Sequence, residues 1–129
     1  MSPEPVLVGQ WQRLLGDLLD RTARFPKVVR FTFAQRIETL ALDVLEDLVE
    51  ARYGTGHERQ KALRRADMRL ARMRVLIRLA HDRRYLDHRG YEHVARAMDE
   101  SGRMLGGWRK GQSGGEGDAS EGRDAAAGT

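Results

Sequence analysis

Leu63, Ala66, Leu70, Met73, Ile77 and Ala80 follow one another at alternating steps of three and four residues without a break. A strand repeats every two residues and a helix about every 3.6, so a run with this period can bury one face only as a helix. Three other stretches carry the same period. Over about residues 6–24 the apolar positions are Leu7, Trp11, Leu14, Leu15, Leu18 and Leu19, and Phe25-Pro26 ends the run because proline disfavours helix in the residue before it. Over 32–53 they are Phe33, Ile37, Leu40, Ala41, Val44, Leu48 and Ala51. Thr32 and Gln35 fit a capping box at the start of that helix, and Gly54 suits a left-handed stop at its end.

Thr55 and Glu58 fit a second capping box, opening the long helix over 56–84, which spans about 42 Å at 1.5 Å per residue. Asp87 is placed to cap a fourth helix over 88–110, whose stripe is Tyr91, Val94, Met98, Ser101, Leu105 and Trp108, with Gly111 at its end. No run alternates apolar and polar residues as a strand does. The expected class is all-α: an antiparallel up-and-down four-helix bundle over 1–110, with the short links before the third and fourth helices favouring antiparallel neighbours. The remainder, 111–129, is rich in glycine, alanine, serine and acids and is expected to be a disordered tail.

A chain of 129 residues has room for one domain with a modest core. Cysteine is absent, which excludes disulfides and thiolate metal sites. No apolar run reaches the roughly 18 residues that a membrane span needs, and Met1-Ser2-Pro3-Glu4-Pro5 lacks the basic start and apolar core of a secretory signal. A soluble, cytoplasmic protein is expected.

The net charge of +4 is unevenly spread. The tail holds Glu116, Asp118, Glu121 and Asp124 against Arg123, a balance of −3, so residues 1–110 carry +7. The segment 57–84 holds ten Lys/Arg and three acids, again +7, and therefore contains the whole excess. Such a concentration points to an anionic partner. Lys61, Arg65, Arg69 and Arg72 lie along one face of the third helix, flanked by Arg59, Arg64, Arg74 and Arg78. Arginine contacts phosphate through a planar fork, so these eight residues are the candidate nucleic-acid-binding set, with binding insensitive to base sequence and weakened by salt. Reversal of Arg65, Arg69 and Arg72 to glutamate is expected to abolish RNA and DNA retention with helicity intact. The competing reading is charge pairing with the acidic second helix, where Asp43, Asp47 and Glu50 share a face.

The second helix has a further apolar row, Leu42, Leu45 and Val49, and the third is apolar nearly all round at Val75, Leu76, Ile77, Leu79 and Ala80. A bundle helix needs roughly three apolar positions in seven, so Leu42, Leu45, Val49, Val75, Leu76 and Leu79 are the candidate oligomer interface.

No catalytic constellation is visible. His57, His81, His88 and His93 form no metal-ligand spacing, no serine sits in a nucleophile elbow, and no glycine run has the setting of a phosphate loop. His81 reads as a helix-end residue. The Glu46/Asp47 pair reads as part of a solvated charged face. A non-enzyme without metal or cofactor is expected.

Two longer stretches, 25–53 and 76–110, carry a family resemblance. The first contains Phe25-Pro26, Arg30-Phe31-Thr32 and Arg36-Ile37-Glu38. The second contains Arg78-Leu79-Ala80, Tyr85-Leu86, Tyr91-Glu92 and the ending Gly102-Arg103-Met104-Leu105-Gly106-Gly107-Trp108. In order and spacing these resemble the accessory variability determinant (Avd) proteins of diversity-generating retroelements, a group related to the four-helix-bundle proteins of 23S rRNA intervening sequences. The resemblance implies a four-helix bundle assembled into a homopentameric barrel with a positive surface. It also implies a partnership with the reverse transcriptase and template RNA, with DNA as a second nucleic-acid partner, in making mutagenised cDNA. The alternative is a stand-alone interaction bundle of the intervening-sequence type with no polymerase partner. A third reading is a structural oligomer whose basic helix is neutralised by the second.

Overall fold

The computed structural model describes residues 3–119, all in helices and the turns that join them. Four long helices are present among these residues: α1 (Pro3–Thr22), α2 (Gln35–Tyr53), α3 (Gly56–Asp82) and α4 (His88–Ala119). None is long and apolar enough to cross a membrane.

Side-chain pairs fix the directions. Trp11 and Thr22 of α1 donate to the Ala41 carbonyl and the Glu38 carboxylate of α2, so α1 and α2 run antiparallel. Asp47 meets Arg65 and Arg69 between α2 and α3, and Asp67 meets Arg109 between α3 and α4. Gln10 donates to Glu100, closing α4 back onto α1. Each helix thus packs mainly on two antiparallel neighbours, in a four-helix bundle.

The periodic residues fill the centre. Leu7, Trp11, Leu18, Ile37, Val44, Leu48, Leu63, Met73, Ile77, Val94, Met98 and Leu105 are the largest of the fully buried side chains. The Trp11 indole N–H, which burial would leave unpaired, reaches the Ala41 carbonyl at 2.9 Å. Leu19, expected in the α1 stripe, is instead exposed beside buried Leu18. Ser101 lies within the α4 stripe, and its buried hydroxyl has no hydrogen-bond partner among the described residues.

The helix ends differ from expectation. Pro26 starts a 3₁₀ turn at Lys27–Val29, and a π-helical turn at Arg30–Ala34 leads directly into α2. Thr32 therefore lies inside a helical segment and makes no capping bond at the start of α2. Thr55 does occupy the position before α3, but its side chain makes no cap bond either. Gly54 is extended (φ −88°), and the left-handed glycine is Gly56 (φ 55°). Asp87 caps α4: its carboxylate accepts the Gly90 N–H at 2.7 Å. α4 continues through Gly111 to Ala119, because a glycine weakens a helix by about 1 kcal/mol without forbidding it. The rest of the acidic tail, 120–129, lies outside the described residues.

Phe25, Phe33 and Tyr85 form an aromatic trio with ring centroids 5.5–6.3 Å apart, joining the α1–α2 and α3–α4 connections at one end of the bundle. Beside it, the turn after α3 holds Arg84, the one described non-glycine residue with positive φ (66°), while the Tyr85 and Leu86 N–H groups return to the Ala80 carbonyl. A side chain in this left-handed position costs about 1–2 kcal/mol relative to glycine's freedom there. Arg84→Gly is expected to raise stability by about 0.5–1 kcal/mol after glycine's greater unfolded-state entropy is set against it. An increased urea midpoint with unchanged slope checks this.

Candidate nucleic-acid interface

The eight cations of α3 do not form one free stripe. Asp47, expected on a solvated face, sits at the α2–α3 seam with its side chain 5% exposed, whereas its neighbour Glu46 is exposed. The cause is angular: Asp47 follows Val44 by three residues, about 300° at 100° per residue, which places it at the edge of the apolar stripe. Burying that carboxylate requires donors. Arg69 supplies its Nη1 at 2.6 and 2.8 Å to the two oxygens, and Arg65 supplies its Nε at 3.2 Å while its Nη2 lies 2.8 Å from Glu50. The Glu50 hydrogen bond raises the Arg65 pKa above its ordinary value, and the Asp47 hydrogen bond does the same for Arg69.

Arg65 and Arg69 are thus committed within the fold, against the expectation that they project free. Their reversal to glutamate would set new carboxylates against Asp47, so it would disturb folding as well as any ligand. Two further members of the set are also engaged. Arg59 donates to the last carbonyls of α2, Ala51 at 2.7 Å and Arg52 at 3.2 Å, and lies over the Trp108 ring. Arg74 lies across α4, 3.5 Å from the Met98 carbonyl and 3.7 Å from Asp99, in space left by the missing side chain of Gly102.

Lys61, Arg64, Arg72 and Arg78 remain. All four are exposed, and none is paired with another described residue. They share the outer side of α3 over about 26 Å, at 1.5 Å per residue. Exposed Met68, Val75 and Leu79 lie among them, so this face is cationic and apolar together.

The apolar candidates fall in two places. Leu42 and Val49 are 44% and 41% exposed on α2, with Leu45 half-buried beside them. Val75 and Leu79 are 55% and 41% exposed on α3, with Leu76 half-buried against the core. Leu42 and Val49 are each turned about 140–160° from Asp47 around α2 at 100° per residue, so the two groups lie on different flanks. Leu76 and Leu79 also wall an open cleft of about 730 Å³ with Phe31, Phe33, Arg36 and Leu40.

No group of three or more metal-ligating side chains occurs among the described residues. His81 stacks on Tyr91 at 4.4 Å in the last turn of α3, while His88 and His93 lie beside Glu92 and Asp17.

Against known proteins, residues 5–112 match the model of the bAvd-like family, 108 of the 129 residues. Neither the curated proteins nor the solved structures compared with the chain gave a match.

Asp47→Ala leaves Arg69 without its carboxylate and Arg65 with Glu50 alone, and is expected to lower stability by about 1–3 kcal/mol. Glu50→Gln, at a half-exposed carboxylate, should cost less than about 1 kcal/mol. Urea unfolding of the two variants separates these values; equal losses would contradict the central place given to Asp47.

Proposed function

This chain belongs to the bAvd-like family, and from that premise we propose that it is the non-catalytic accessory protein of a diversity-generating retroelement. In this reading it binds the reverse transcriptase and the template RNA, with cDNA as a second ligand, through its basic surface. It supports mutagenic reverse transcription by holding enzyme and nucleic acid together, in the cytoplasm, and contributes no reacting group.

The observation that carries the reading is the set of four cations on α3, Lys61, Arg64, Arg72 and Arg78, left unpaired although acids of α2 hold Arg65 and Arg69 close by. Exposed cations with no internal partner keep their full charge for phosphates and release counterions on binding. The variant K61Q/R64Q/R72Q/R78Q is expected to weaken retention on RNA and flatten its salt dependence with its helicity unchanged, since none of the four holds the bundle together. Retention equal to that of the unaltered chain would remove the site. Co-expression with a retroelement reverse transcriptase tests the partnership: the two proteins should co-purify.

Self-assembly belongs to the same reading. Two apolar groups on different flanks favour a contact in which one subunit's α2 row meets the next subunit's Val75 and Leu79, with Arg72 and Arg78 at the rim of that contact and Lys61 and Arg64 beyond it. A head-to-tail contact of that kind closes into a ring when its rotation permits, as the homopentamer of the resembling proteins requires. Val75→Glu with Leu79→Glu is expected to reduce the oligomer to monomers in light scattering, with helicity kept. A monomeric unaltered chain would end the ring reading.

A further inference from the structure

We propose that the outer face of α4 is a second track for the phosphodiester backbone of nucleic acid, formed by Arg89, Arg96, Arg103 and Lys110. The proposal rests on the nucleic-acid reading above but uses none of the residues assigned there. These four cations recur every seven residues, and all are exposed. Seven residues make nearly two turns, so each cation falls only about 20° from the one before it. The row is therefore almost straight and runs about 32 Å. One strand of a duplex carries about nine phosphates over that length, at 3.4 Å each.

The acids placed to neutralise the row are drawn elsewhere. Glu92 precedes Arg96 by four residues, the favourable order for a helical ion pair. Its carboxylate lies 3.4 Å from His88 instead. Asp99 precedes Arg103 by four residues, yet it faces Arg74 of α3 at 3.7 Å. Glu100 precedes Arg103 by three and accepts a hydrogen bond from Gln10 of α1 at 3.1 Å. No described residue pairs with Arg89, Arg96, Arg103 or Lys110. The bundle's own packing thus leaves the row uncompensated, with three arginine forks suited to phosphate oxygens.

The surface beside the row is also open to close approach. Gly106 and Gly107 lie between Arg103 and Lys110, and a Cβ built on either would meet no atom within 4 Å. A glycine in a helix interior weakens the helix relative to alanine, and nothing inside the fold uses the space that these two leave. A backbone lying along α4 could come close to the helix there, between two cations. Charge complementarity commits the track to a polyanion, and the regular spacing over several turns suits an extended one.

The test uses the full chain and fluorescent single-stranded RNA and DNA oligonucleotides longer than about ten nucleotides, enough to cover the row. Affinity is measured by anisotropy across a series of salt concentrations. For R89Q/R96Q/R103Q/K110Q the slope of log affinity against log salt should become shallower by about 2–3, since each phosphate contact on a single strand contributes about 0.7. R89K/R96K/R103K keeps the charge and should keep the slope. An unchanged slope in the glutamine variant, with helicity retained, overturns the α4 track. Should that variant lose helicity, R89Q/R96Q and R103Q/K110Q are read separately, each expected to flatten the slope by about 1.4, and unchanged slopes in both overturn the track. The α3 variant K61Q/R64Q/R72Q/R78Q distinguishes the two sites. A slope that falls only with the α3 changes sinks the α4 track alone, and one that falls only with the α4 changes supports it while removing the α3 site. Absence of binding by the unaltered chain to either oligonucleotide sinks both.

Discussion

A carboxylate buried in the seam between two helices must be met by donors, and in this bundle that demand organises the α2–α3 pair. Asp47 is held by Arg69 on both oxygens and by Arg65 on one, and Glu50 steadies Arg65 from the rim. The arrangement fixes the rotation of α3 about its axis. With Arg65 and Arg69 turned toward α2, Ala62, Leu63, Ala66 and Leu70 face the core and Arg64 faces out. Removing the carboxylate would strand Arg69 and leave Arg65 with Glu50 alone, so the loss on removal exceeds what the contact adds in net stability.

The same contact divides the charge of α3 into two kinds. Arg59, Arg65, Arg69 and Arg74 serve the fold, through helix carbonyls, carboxylates and an aromatic face. Lys61, Arg64, Arg72 and Arg78 are available to something outside it. Net charge in the segment overstates the cationic surface for this reason. Charge pairing and an open basic face, set against each other in reading the sequence, each describe part of the helix.

The helices and nearly the whole core were legible because burial imposes a period that survives in a single sequence, as in Leu63 through Ala80. Asp47 was misread because a count of charges ignores angle: its position one residue before Leu48 and three after Val44 already places it at the stripe's edge. The helix starts were less legible for a local reason. Thr32 and Gln35 have the spacing of a capping box, but Pro26 begins a helical turn earlier and carries the chain past Thr32 already wound. Arg84 gives no sign of its left-handed backbone, since nothing in an arginine marks it. The α4 row is written in the sequence as a seven-residue repeat, but acids interleaved with it cancel much of its charge, so net charge gives no sign of it.

Three of the bundle's four seams carry an arginine. Arg69 lies between α2 and α3, Arg74 and Arg109 between α3 and α4, and Arg21 against Gly90, where a Cβ would crowd its guanidinium at 2.6 Å. Each reaches its partner through one guanidinium nitrogen at the end of a long aliphatic stem. Interior leucines can exchange with methionine at small cost, whereas Arg65→Lys, the milder-looking change, would give up one of two carboxylates, since Nε and Nη2 of Arg65 reach Asp47 and Glu50 at once.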